Sequence, residues 1–252
     1  MSVVLKRLNM DNNSREIWLR TNEIEEFICG LEHCAKLVIT IDDNVMHWKW
    51  LILALHNTLQ GVCTCALRGE DTAGISMLTE SSAKAVWHWL DIESRKDPNS
   101  PMPEEKLAGM IELYKRVQKI EYLKEPHRLP THDQMNKDIR KLNELRNEFS
   151  HFVPKGFSLK LSGMPRIIRH CCDAIEHLSV IHPTFWHHLK EAHLKRIGTG
   201  LLTLRRALYE IEEAAMTNSE AQFNELSIEL FRVFARIEYA LKAAGFHYGD
   251  GE

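Results

Sequence analysis

Apolar residues recur along most of the chain at intervals of three and four, the spacing that lines one face of a helix, and they almost nowhere alternate with polar ones as a half-buried strand requires. The pattern predicts an all-α fold. A first helix should begin at Asn22, whose side chain can cap it with Glu25 as capping-box partner, and run to about Val38. Asp42 or Asp43 is the expected cap of the second. That helix, VMHWKWLILALHNTLQGVCTCAL, is apolar nearly all round, which predicts a central position in a bundle, with Gly69 at its end. A third begins near Ser81 or Ser82 and gives way to the proline-rich linker SRKDPNSPMP.

Another helix is expected from Glu104 to about Ile120, followed by the punctuated segment KEPHRLPTHD. A helix capped by Thr131 should then reach Phe152, where Pro154 and Gly156 stop it. After an extended FSLKL, Ser162 caps a helix with Pro165 in its first turn that continues to Ile181. His182 and Pro183 mark a boundary. Beyond it two amphipathic stretches, roughly Thr184 to Met216 and Ser219 to Ala244, read as a helical hairpin, with Gly198 and Gly200 splitting or bending the first. The organisation is therefore a bundle over 1–182 and a hairpin over 183–252, the latter either part of the same unit or a dimer or partner surface.

Composition changes this picture little. Of 252 residues 44% are hydrophobic and 27% charged, enough to bury a substantial core. The net charge of −3 rules out a generally basic nucleic-acid binder, so contact with phosphates must come from a local patch. Between 137 and 170 eight basic residues outnumber three acidic ones, which is such a patch. The first twenty residues lack the features of a secretory signal, so a cytoplasmic location without a membrane span is expected, and the six cysteines should be reduced core filler.

Within LNELRNEFSHFVPKG, Leu142, Leu145, Phe149 and Phe152 form one apolar stripe, while Arg146 flanks it and Asn147 and His151 point away. A guanidinium, an amide and an imidazole thus gather near a helix end. An Arg followed after four to six residues by a His, with a polar residue directly after the Arg, resembles the motif of the HEPN superfamily. The context, HFVPKGFSLKLSGMPRI after the motif and a buried helix opening MHWKWLILALHN, is similar to a bacterial HEPN family of plasmid and mobile-element proteins over roughly residues 20 to 182.

The resemblance implies a HEPN-like bundle and metal-independent RNA cleavage, with His151 moving a proton at the ribose 2′-hydroxyl, Arg146 holding the scissile phosphate and Asn147 orienting the pair. Lys141, Lys155 and Arg166 are candidate RNA contacts. It also implies a homodimer without metal or cofactor, acting in defence or toxin–antitoxin systems, with an antitoxin or other protein as a further partner. Five residues of helix subtend about 500°, so Arg146 and His151 of one chain point different ways, and a second copy would complete the cleft.

Other clusters carry less. His187 and Glu191 within HPTFWHHLKEAHLKR have the spacing of two metal ligands but no completing set, so a helix surface is expected there. Trp48, Trp50, Trp87 and Trp89 are read as core, and no phosphate-binding glycine loop or nucleophile elbow appears. The competing reading is a non-catalytic HEPN-like module for protein contact or RNA binding.

Overall fold

The structure, a computed structural model, describes residues 19, 21–71, 74–97, 99–151, 158–215 and 220–243. Every regular element among them is helical, and the one β-bridge, Leu78 with Leu107, is isolated. Asn22 opens α1 (Glu23–Val38): its Oδ1 accepts from the N–H groups of Ile24 and Glu25 at 3.1 and 3.0 Å. Such a cap stabilises a helix by about 1 kcal/mol. The reciprocal capping-box bond is replaced, since the Glu25 carboxylate turns instead to His193 and Arg196 on α8 (Glu191–Ala215).

Neither Asp42 nor Asp43 caps α2 (His47–Glu70). A turn intervenes in which Asn44 Oδ1 accepts from Met46 N–H at 2.9 Å, and Met46 occupies the cap position without a side-chain bond. Thirteen of the 24 residues of α2 are buried, on more than one side, because α1, α5 (Met110–Arg116), α6 (Asp133–Ser150) and α7 (Met164–Glu176) all pack on it. By length and composition α2 is apolar enough to cross a membrane, yet 67% of that window is buried inside the fold. Gly69 does not end α2. A Cβ there would come within 2.8 Å of the backbone at Thr184 and Phe185, so the glycine admits a close approach, held by the Thr184 hydroxyl donating to Ala66 O.

Thr79 caps α3 (Glu80–His88), which runs through a π turn at Trp89–Glu93 into α4 (Ser94–Lys96). The helix expected from Glu104 shrinks to α5. Residues 104–109 are drawn out by bonds to the start of α3: Thr79 N–H donates to Lys106 O, Ala108 N–H to Met77 O, and Ser82 bonds Glu104 and Lys106. Buried Arg116 secures this corner by donating to the carbonyls of Ser76 and Leu78 at 2.8 and 2.6 Å.

The cap of α6 is His132, whose Nδ1 accepts from Met135 N–H, while Thr131 donates to Gln118. Ser162 lies in a 3₁₀ turn, Leu161–Gly163, and Gly163 takes the cap position of α7. A π turn at His177–Ile181 prolongs α7 to the expected residue. From Thr184 to Lys190 the only helical piece is a 3₁₀ turn at Trp186–His188, and the expected hairpin consists of α8 and α9 (Glu220–Ala243).

Gly198 and Gly200 do not interrupt α8. They let Ile237 of α9 and Leu31 of α1 come close on its two sides. Leu194, Ile197, Leu201 and Leu204 of α8 belong to the same hydrophobic cluster as α1, α2, α6 and α7. Buried Glu176 joins three helices, accepting from Arg205 at 2.8 Å and Arg236 at 3.1 Å. None of the six cysteines is in a disulfide; five are buried and Cys29 is exposed.

Candidate functional site in the seam between α2 and α6

Met135, Ile139, Leu142 and Leu145 bury one stripe of α6 and leave Asn143, Arg146 and Asn147 on the adjoining face, at the i, i+3, i+4 spacing of helix neighbours. Phe149 continues the stripe, half-buried, and Phe152 lies outside the described residues. Arg146 is half-buried, and its Nη1 donates to Asn147 Oδ1 at 3.0 Å. It forms no ion pair among the described residues. His151 is exposed: the helix ends at Ser150, and His151 leaves helical conformation at φ −97° and ψ 72° while its N–H still donates to Asn147 O. The structure thus joins Arg146 to Asn147 directly, and joins His151 to Asn147 through the backbone.

α2 supplies the opposite wall, running antiparallel to α6. His56 Nε2 lies 3.1 Å from Asn143 Oδ1 at one end of the seam, and Lys49 Nζ lies 5.8 Å from the centre of the Phe149 ring at the other. His56 is 2% exposed. Burial pushes its imidazole below the ordinary histidine value, the bonds to Asn143 and Asn57 oppose that, and the charge of Arg146 pushes it further down. It is therefore a neutral imidazole at neutral pH, paired across the helices beside a guanidinium. Lys49 and His56 were unmarked in the sequence because they sit in an apolar helix; their seven-residue spacing, two turns on one face, was the available signal.

The candidate RNA contacts fare differently. Arg166 forks Asp138 with two bonds of 2.8 and 3.1 Å, so its guanidinium is committed to a carboxylate. Lys141 pairs with Glu144 at the surface, an exchangeable contact, and Lys155 lies outside the described residues. Arg169 pairs with Glu212. Lys137, Arg140 and Lys160, with Arg146, are left without carboxylate partners among the described residues.

Within the histidine-rich segment His187 and His188 lie in a 3₁₀ turn, Trp186–His188, and only Glu191 and His193 are on the helix, α8. His193 pairs with Glu25 at 3.0 Å, and no metal-holding group of three ligands occurs among the described residues. The tryptophans divide. Trp48 is core and Trp89 donates to Ser100 O, but Trp50 and Trp87 are 50% and 61% exposed, contrary to a core role.

No protein-family model, no curated protein and no solved structure matches this chain.

Proposed function

We propose that the chain is a HEPN-like bundle with an added C-terminal hairpin, acting as a cytoplasmic, homodimeric, metal-independent endoribonuclease whose active cleft includes the α2–α6 seam. The observation that carries this reading is Arg146, an arginine without a carboxylate partner among the described residues, bonded to Asn147 and five residues before an exposed imidazole. Arginines bound to carboxylates serve structure; one held by a neutral amide retains its charge for an anion.

In the proposed reaction His151 takes the proton of a ribose 2′-hydroxyl, and the 2′-oxygen attacks the adjacent phosphorus. The bond from phosphorus to the 5′-oxygen breaks, and that oxygen takes a proton from a second imidazole, the same residue of the other copy. Arg146 neutralises the charge gathering on the non-bridging oxygens. The products are a 2′,3′-cyclic phosphate and a 5′-hydroxyl. Defence against phage or mobile elements, under restraint by an antitoxin or other protein, is the setting such an activity fits.

The test is cleavage of total cellular RNA by purified protein in EDTA. The reading requires cyclic phosphate ends from wild type and loss of cleavage in both Arg146→Ala and His151→Ala. Equal cleavage by all three would refute it. A second reading, a non-catalytic module for protein contact, has its own support in α9, where Phe231, Phe234 and Tyr239 are 73%, 56% and 75% exposed. Absence of cleavage by any form would favour that reading.

A further inference from the structure

Trp48 and Trp50 sit two residues apart on α2 and so face different ways: Trp48 fills the core, and Trp50 leaves half its surface in water. An indole held open on a rigid helix exposes a large apolar π face. Lys49 Nζ lies 5.3 Å from the centre of the Trp50 ring and 5.8 Å from that of Phe149, so one ammonium bridges the two rings. Phe149 is three residues from Arg146 and two from His151. Because α2 and α6 run antiparallel, Trp50 and the Arg146–His151 segment share the same end of the seam.

We propose that Trp50 is the stacking platform for an unpaired base of a single-stranded RNA, fixing which nucleotide is presented to Arg146; this rests on the ribonuclease reading of the site. Stacking on an aromatic face requires a base splayed out of its own stack, which single strands and loops provide and a duplex withholds. Lys49 moves from the ring faces to a neighbouring phosphate as the base arrives. Exposed Glu148 opposes phosphate on this turn of α6, so binding draws on stacking and Arg146 more than on a broad basic surface.

The experiment measures binding of a fluorescein-labelled oligouridine by anisotropy, in a His151→Ala background that suppresses cleavage, with and without Trp50→Ala and Trp50→Phe. Loss of one stacked base weakens binding by roughly tenfold. Trp50→Ala should show that loss, Trp50→Phe should retain most of the affinity, and a duplex carrying the same strand should be indifferent to both. An unchanged affinity in Trp50→Ala, or no oligouridine binding by any form, overturns the proposal. So does a Trp50→Ala variant that changes self-association in sedimentation and not RNA affinity, since Trp50 with exposed Val45 and Met46, five and four residues before it, would then mark a protein interface. Trp50-dependent binding without cleavage by wild type would sustain the platform and sink the nuclease. Cleavage with KM unchanged in Trp50→Ala would do the reverse.

Discussion

Asp138→Asn keeps the shape of a side chain that is 5% exposed and removes its charge. One carboxylate oxygen accepts from Arg166 Nε at 2.8 Å and His170 Nδ1 at 2.9 Å, the other from Arg166 Nη2 at 3.1 Å and Gln134 Nε2 at 3.0 Å. An amide has only one accepting oxygen, so in either orientation its NH₂ faces two of these donors. A hydrogen bond to a charged group contributes about 1.5–3 kcal/mol, but Arg166 is more than half exposed and recovers water, so the net cost is about 2–4 kcal/mol. For a domain of this size that lowers Tm by roughly 5–15 °C.

The cost must also depend on pH. Burial pushes the Asp138 carboxyl up, but Arg166, Gln134 and His170 outweigh it, and the net shift is downward. A depressed folded pKa contributes stability that is present above the ordinary aspartate value and is lost as pH falls through the folded one. The assay is urea unfolding of both proteins from pH 7 to pH 3. The gap between them should be full at pH 7 and narrow at the acid end. A loss under about 1 kcal/mol, or a gap that does not change with pH, would refute the reasoning.

Two further outcomes follow from burial and packing. His177 has a buried Nε2 without a hydrogen-bond partner among the described residues and lies 5.2 Å, ring centre to ring centre, from His182; burial and the neighbouring imidazole hold its pKa low, and burial and His127 do the same for His182. Their stabilising effect is whole above the ordinary histidine value and is lost as pH falls below it, so unfolding free energy should drop between pH 7 and 5, less so in His177→Phe; identical profiles would contradict this. Gly200→Ala would set a Cβ 2.8 Å from Leu31 Cγ in a fully buried contact. Overpacking of about 1–3 kcal/mol should outweigh the gain of about 1 kcal/mol in helix propensity, and a variant more stable than wild type in thermal unfolding would show that α1 and α8 part easily.

The sequence displayed what local chemistry decides. Asn22 caps α1 because an amide before an amphipathic run satisfies orphan N–H groups wherever it lies, and α2 is central because an all-round apolar helix among amphipathic ones is covered by them on several sides. Long-range partners were hidden. Residues 104–109 carry helix-compatible side chains, yet Thr79, Met77 and Ser82 claim their backbone. Asp138 takes Arg166 from 28 residues away, which no charge count reveals, and Arg166 therefore looked as open as Arg146. Gly198 and Gly200 read as helix breakers because spacing does not tell a bend from a close contact. At the site, Arg146, Asn147 and His151 were visible as a motif, whereas the α2 wall was not.

Cleavage of one defined single-stranded RNA in EDTA, compared with the same strand carrying a single 2′-deoxy substitution at the cut position, tests the central claim most directly. The account predicts that wild type cuts the all-ribose strand to a 2′,3′-cyclic phosphate and spares the substituted linkage, and that neither strand is cut once Arg146 or His151 is replaced by Ala. Cutting at the deoxy linkage, or ends of another kind that persist in both variants, would contradict it.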